Sequence, residues 1–150
     1  MVRNLTGKQP QYYEATLQLR DISDEIRDFV LDGISRSGMR ISKVTEHDNG
    51  VDLQLTDKNL TRNLGRMLQT KFGGECKIST SLYGQKDGKE IYRLTVLFRS
   101  FGLKKGDKVS YKGENYEIKL LGKDLLLQDP SSGKKIHVKY GEMGNFKKVG

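Results

Sequence analysis

Tyr12 to Gly38 reads YYEATLQLRDISDEIRDFVLDGISRSG, and the change of period within it decides the fold class. Tyr13, Ala15, Leu17 and Leu19 alternate with polar residues, the period of two that a strand with one buried face imposes. Asp21 or Ser23 then offers a side-chain oxygen to cap a helix. Ile22, Ile26, Phe29, Val30 and Ile34 follow at helical spacing, and Gly38 stops the run.

Beyond Gly38 a second strand is expected over about Arg40 to Glu46. It meets Asp48-Asn49-Gly50, a hairpin signal of the kind that supplies positive φ to a tight primed turn. Val51, Leu53 and Leu55 alternate after it. Asp57 can cap a second helix carrying Leu60, Leu64, Met67, Leu68 and Phe72, which ends at Gly73-Gly74. Strands over about Cys76 to Tyr83 and Glu90 to Phe98 follow, joined through Asp87-Gly88. The two helical apolar sets coincide at an offset of 38 residues, as do Tyr13, Ala15 and Leu17 with Val51, Leu53 and Leu55. That repeat favours two βαβ halves in one sheet with both helices on one face, a ferredoxin-like βαββαββ plait with an added strand. Chance agreement of amphipathic patterns is the competing reading, and the second strands of the halves align poorly.

The helices differ in charge. Asp24, Asp28 and Asp32 line the exposed side of the first, and Lys58, Arg62 and Arg66 the corresponding side of the second. The basic ridge can grip phosphates, with Asn59, Asn63 and Gln69 as neutral donors nearby; a solvated helix face is the alternative. The open face of the sheet would present Glu14, Thr16, Gln18, Asp52 and Gln54, without an aromatic platform of the kind RNA-recognition motifs use. Tyr12 could stack on a base or cover an edge. An unpaired edge at the fifth strand could accept a partner strand.

After Phe101-Gly102 the character changes. Lys108 to Tyr111, Tyr116 to Leu121, Leu125 to Gln128 and Ile136 to Tyr140 read as short strands, with turns at Lys112-Gly113, Gly122-Lys123 and Asp129 to Gly133. Four or five strands at this spacing suggest a small all-β SH3-like barrel. The chain therefore divides into a flexible N-terminus over residues 1–10, an α+β domain over 11–100 and a Lys-rich β-barrel over 101–150.

The last fifty residues hold eleven lysines, no arginine and six acidic residues, and so carry five of the chain's eight net positive charges. Lysine is a mobile point charge suited to a phosphate backbone rather than to reading bases. Lys104, Lys105, Lys134, Lys135, Lys147 and Lys148 in turns or ends, with Lys139 in a strand, are the candidate RNA contacts. For each, the alternative is an ordinary solvated lysine. A net charge of +8 favours a polyanionic partner in any case.

Signs of catalysis are sparse. His47 falls in a hairpin, His137 in a strand, and no short motif joins either to a nucleophile. The single Cys76 precludes an intramolecular disulfide and a zinc cluster, and reads as a small buried residue. The sequence has no P-loop, no GxGxxG fingerprint and no complete EF-hand ligand series. Met1 to Pro10 lacks a signal-peptide core, and no run reaches the roughly 20 apolar residues of a membrane span. A cytoplasmic, non-enzymatic protein without metal or cofactor is the expectation.

Gln11-Tyr12-Tyr13-Glu14-Ala15-Thr16-Leu17-Gln18-Leu19-Arg20 resembles the YYEA-x-LQLR block of the archaeal NMD proteins, relatives of the eukaryotic adaptor for large ribosomal subunit export. Asn49-Gly50-Val51-Asp52 resembles that family's GxD strand, and Ser79 to Gly84 with Tyr92-Arg93-Leu94-Thr95 resembles its later hairpin. The resemblance spans about Gln11 to Gly106. It implies binding to the large subunit during late maturation, across ribosomal RNA and proteins near the tRNA sites. It also implies a region like the small barrel of the hypusine-bearing elongation factor. Family members normally begin with paired Cys-x-x-Cys zinc motifs, so this chain reads as a fragment cut after that region or a naturally short relative.

The expected function is a ribosome-associated assembly or quality-control factor that binds the large ribosomal subunit, its rRNA backbone and its proteins, with no membrane and no small-molecule substrate. Two alternatives stand beside it: a generic RNA-binding module outside the ribosome, and a small-molecule-binding or enzymatic ferredoxin-like domain. A deep pocket between the helices and the barrel would favour the last.

Overall fold

The computed structural model describes residues 12–122, 124–139 and 146–149. In chain order the elements are β1 (Ala15–Arg20), α1 (Asp24–Ser37), β2 (Ile41–His47), β3 (Gly50–Leu55), α2 (Lys58–Phe72), β4 (Gly74–Lys86) and β5 (Lys89–Ser100). Then come β6 (Lys108–Tyr111), β7 (Glu114–Leu120), β8 (Asp124–Gln128), β9 (Lys135–Lys139) and β10 (Phe146–Val149). The architecture is α+β, with one five-stranded sheet ordered β2-β3-β1-β5-β4 and a second ordered β10-β6-β7-β8-β9. The expected flexible N-terminus over residues 1–10 lies outside the described residues, as do Lys123 of the Gly122-Lys123 turn and Tyr140.

Alternation in β1, β3 and β5 sends Ala15, Leu17, Leu19, Val51, Leu53, Leu55, Leu94, Val96 and Phe98 to one face, where they form a single core with Ile26, Val30 and Ile34 of α1 and Leu64 and Leu68 of α2. Both helices thus cover the same side of the sheet. Ser23 caps α1, its hydroxyl accepting from the Ile26 N–H at 3.2 Å, and Asp57 caps α2 through the Leu60 N–H at 2.9 Å. Of the two caps considered for α1, Asp21 does not serve; it sits at φ 55° and bonds Arg99 instead.

The 38-residue repeat has a structural counterpart in the antiparallel register of β1 and β3. Ala15 faces Leu55, Leu17 faces Leu53, and Thr16 faces Gln54, its own equivalent in the other half. A register that maps onto itself under the offset places a local two-fold axis at the Thr16–Gln54 pair. The halves part company at β2 and β4. Both are edge strands; β2 has no buried residue, and β4 meets the core only at its start, through Gly74 and Cys76, so little of either strand carries a core period.

β5 corrects one expectation. It is no unpaired edge, because it lies parallel to β1 (Leu17 facing Val96) and antiparallel to β4 (Ile78 facing Val96). Its run of Leu94, Val96 and Phe98, each at most 2% exposed, needs cover from sheet and helix together, which a central position supplies. The open edges are β2 and β4.

A second correction concerns Gly50. His47 pairs with Gly50 across a two-residue loop, yet neither Asp48, Asn49 nor Gly50 takes a positive φ. Glycine is required there for space: a Cβ would lie 1.9 Å from the Leu19 carbonyl oxygen of β1. Genuine left-handed pairs occur at Asp87-Gly88 (φ 54° and 77°) and Lys112-Gly113 (φ 51° and 82°), which turn β4 into β5 and β6 into β7.

The second sheet has its own core of Val109, Tyr111, Ile118, Leu125, Leu127 and Val138. β7 carries a bulge between Ile118 and Leu120, and β10 returns to pair with β6.

Candidate nucleic-acid interface

On α2, the buried arc of Thr61, Leu64, Gly65 and Leu68 faces the sheet. Lys58, Arg62 and Arg66, four apart, run along the flank of that arc and turn outward toward Arg66. Lys58 and Arg66 are exposed and Arg62 is half-buried. Arg62 donates to Asn59 Oδ1 at 3.0 Å, and among the described residues none of the three forms an ion pair with a carboxylate. On α1, Asp24, Asp28 and Asp32 are exposed, and Asp32 pairs with Arg36 of its own helix at 3.0 Å. The acidic side chains do not neutralise the basic ridge.

The ridge runs on at both ends, into residues the sequence reading missed. At the N-terminal end Lys58 shares a surface hollow with Asp87, Lys89, Glu90, Ile91 and Tyr92 of the β4–β5 hairpin. Tyr92 is 43% exposed, and its phenol is held up in pKa by its hydrogen bond to Glu90. At the C-terminal end Lys71 stands off the four-residue grid, with its ammonium 5.6 Å from the Phe29 ring and 5.7 Å from the Phe72 ring. Lys71 also lines an open cleft of about 480 Å³, shared with Lys104, Lys105, Asp21, Glu25 and the Phe72 side chain. From Lys58 to Lys71 the helix advances about 20 Å at 1.5 Å per residue. The basic residues of α2 therefore run between two surface hollows of mixed charge, the first of which holds an exposed tyrosine.

The other lysines do not join this path in the same way. Lys134 and Lys135 are exposed beside the Asp129–Gly133 loop, which Asp129 builds by accepting the Ser131 N–H at 2.8 Å. Lys139 stands opposite Asp124 in the β8–β9 register, at the far end of β9 from Lys135. Lys147 and Lys148 belong to β10, and their side chains lie outside the described residues.

The cleft beside Lys104 and Lys105 is where a deep pocket would favour the small-molecule alternative. Its two serine hydroxyls are already engaged: Ser23 Oγ accepts from Ile26 N–H and Ser100 Oγ from Gly102 N–H at 3.1 Å. It offers charge of both signs and no poised nucleophile. His47 sits 3.0 Å from Asp52, which also pairs with Arg20 at 2.7 Å, and His137 is exposed on β9. Cys76 is half-buried under α2, where burial pushes its thiol pKa up and Arg66 partly offsets the shift. Among the described residues no cluster of His, Cys, Asp and Glu could hold a metal ion. Among the described residues no helix is long and apolar enough to cross a membrane.

On the open face of the first sheet Thr16, Gln18, Asp52 and Gln54 form the row expected from sequence, with Asp52 paired to Arg20, whereas the Glu14 carboxylate accepts the Lys58 backbone N–H at 3.0 Å, and one corner differs. The Arg93 guanidinium stacks 3.7 Å from the Tyr13 ring and 3.5 Å from the Tyr83 ring, and donates to the Tyr13 phenol oxygen at 3.0 Å. These residues come from β5, the segment before β1, and β4. No local pattern could have paired them.

Residues 12–99 match the family described as NMD3, second domain. The chain belongs to the NMD3 family. No curated protein matches it. The NMD3 match begins at Tyr12 and ends one residue short of the end of β5, so it covers the first sheet, both helices and the ridge Lys58, Arg62 and Arg66. Lys104 and the later lysines fall outside it. The NMD3 family is linked to export of the large ribosomal subunit and comprises ribosome-associated adaptors.

Proposed function

We propose that this chain is a non-enzymatic factor that binds the large ribosomal subunit, rRNA backbone and ribosomal proteins together, during late maturation or quality control in the cytoplasm. Membership of the NMD3 family carries the reading. The ridge of Lys58, Arg62 and Arg66 supports it, since cationic groups without a carboxylate partner on a helix are what phosphate contacts require.

In this reading residues 11–100 are a ferredoxin-like domain widened by the insertion of β5 between β1 and β4, and residues 101–150 are an SH3-like barrel. The second sheet's order, last strand beside the first and the rest in sequence, is the order of SH3-like barrels and supports that assignment. Lys104 and Lys105 extend the ridge through Lys71. Lys134, Lys135, Lys139, Lys147 and Lys148 supply further backbone contacts of the barrel.

The test is co-sedimentation with purified large and small subunits across a salt series, beside a Lys58→Ala/Arg62→Ala/Arg66→Ala variant. Selective large-subunit binding is expected, and the slope of log affinity against log salt should fall by about 0.7–0.9 for each phosphate that the variant leaves unneutralised. Equal binding to both subunits and to unrelated RNA would leave a generic RNA-binding module. No binding even at low salt would sink the ribosomal reading.

A further inference from the structure

β4 and β5 run on past the end of β1. The last β1 pairing is Ala15 with Leu94, whereas β4 and β5 continue through Ser81–Arg93, Leu82–Tyr92 and Gln85–Glu90 to Lys86–Lys89. The hairpin therefore leaves the sheet body as a two-stranded ribbon. At its base the register shifts between Leu82 and Gly84, leaving Tyr83 without a cross-strand partner. Such a bulge re-aims a side chain, and here it brings Tyr83 against Arg93 on the open face.

We infer that Tyr83, backed by Arg93 and Tyr13, is a stacking platform for an unpaired base of single-stranded RNA. The inference rests on the RNA-facing reading above and names the element of RNA that this corner takes. Arg93 holds the inner face of the Tyr83 ring at 3.5 Å and is itself fixed by Tyr13, so the ring is set in place before any ligand arrives. Arg93 is the one ring contact of Tyr83 among the described residues, and Tyr83 is 58% exposed, which leaves its outer face to solvent.

The surroundings favour a base over an apolar protein surface. Residues directly opposite in register share a face. Ser81 faces Arg93 and Ser79 faces Thr95, which in turn faces Thr16, so hydroxyls adjoin the platform and can bond base edges. The exposed aliphatics Val44, Ile78 and Leu82 are registered against Leu53, Val96 and Tyr92 and so belong to the helix side. A protein partner reading this corner would find the Tyr83 and Tyr13 rings and Arg93 bordered by hydroxyls, with Ile91, opposite Gly84, as the aliphatic side chain of the adjoining strand. A stacked base needs a flat ring, a cation to hold it and neutral hydrogen-bonding groups at its rim.

The test uses a short single-stranded oligoribonucleotide carrying 2-aminopurine, whose fluorescence falls on stacking, with overall binding followed by anisotropy. The expected result is quenching by the native chain, loss of quenching with roughly tenfold weaker binding in Tyr83→Ala, and retention of both in Tyr83→Phe. Oligonucleotide binding without quenching, or quenching that survives Tyr83→Ala, overturns the platform and leaves the RNA-facing reading intact. Large-subunit binding without oligonucleotide binding also overturns it, and a Tyr83→Ala loss in that assay alone assigns the corner to a protein. Failure of both assays removes platform and parent reading together.

Discussion

Replacing Gly65 by alanine sets two opposing effects against each other. Gly65 lies inside α2, where alanine is favoured over glycine by about 1 kcal/mol on helix propensity. Against this, its Cβ would lie 2.4 Å from Val96 Cγ1 and 3.4 Å from Cys76 Sγ. Val96 is fully buried on the central strand β5, and a β-branched side chain has little freedom to rotate away. Overpacking of this kind costs about 1–3 kcal/mol, and the rigidity of Val96 places the cost toward the upper end. The net expectation is a loss of about 1–2 kcal/mol, or roughly 4–16 °C in Tm for a unit of this size. With no tryptophan in the chain, the readout is far-ultraviolet circular dichroism. Both helices cover the first sheet, so the helical signal reports that unit. Val96→Ala alone should cost about 2 kcal/mol through its cavity, whereas the double variant should be at least about 1 kcal/mol better than the sum, because the new methyl occupies the vacated space. A Gly65→Ala protein as stable as the parent, or strict additivity in the double variant, would refute this account of the helix–sheet contact.

Three further outcomes can be checked with the same protein. Removing either helix cap, Ser23→Ala or Asp57→Ala, should lower stability by about 1 kcal/mol in urea unfolding, and the two losses should add. Burial, with the hydrogen bond to Glu14 adding to it, pushes the Tyr12 phenol up to about 12 from an ordinary 10, so the unfolded chain gives up this proton first. Its contribution is whole below about pH 10 and disappears as pH rises through about 12, and Tyr12→Phe should remove the latest-ionising component of the tyrosinate absorbance titration. Cys76 should react with a disulfide reagent through a thiolate that forms only above the usual thiol range. Arg66→Ala should move that inflection higher still, because Arg66 favours the thiolate; a downward move would contradict the assigned cause.

Where the core dictated the sequence, the sequence could be read back. Leu17, Leu53 and Val96 lie side by side on three strands, and each belongs to an alternating run whose period is its burial. Ser23, Asp57 and Gly38 mark helix ends because the unpaired backbone groups there need those residues. β2 and β4 were legible only as strands, since at an edge little fixes which side chains face inward. The place of β5 could not be read at all, because Leu94, Val96 and Phe98 would alternate equally well beside β1 or at the rim. Gly50 was identified as a turn residue, yet its role depends on the approach of Leu19, a contact across the sheet. The candidate site divides in the same way. Lys58, Arg62 and Arg66 follow one helix face and were visible in one dimension, whereas Lys71, Tyr92 and the Tyr13–Arg93–Tyr83 stack depend on packing between elements.

The insertion of β5 also governs how the chain can be made. A ribosome synthesises the protein from its N-terminal end onward, and β5 is the last strand of its sheet to emerge although it sits inside it. Until Ser100 has left the tunnel, one edge of β1 is bare, β4 has no neighbour, and Gly65 has no Val96 beneath it. The nascent segment can form the β1–β3–β2 sheet and its caps, but its core stays open on one side. Closure of that core needs β5, and β4 reaches the sheet only through its pairing with β5.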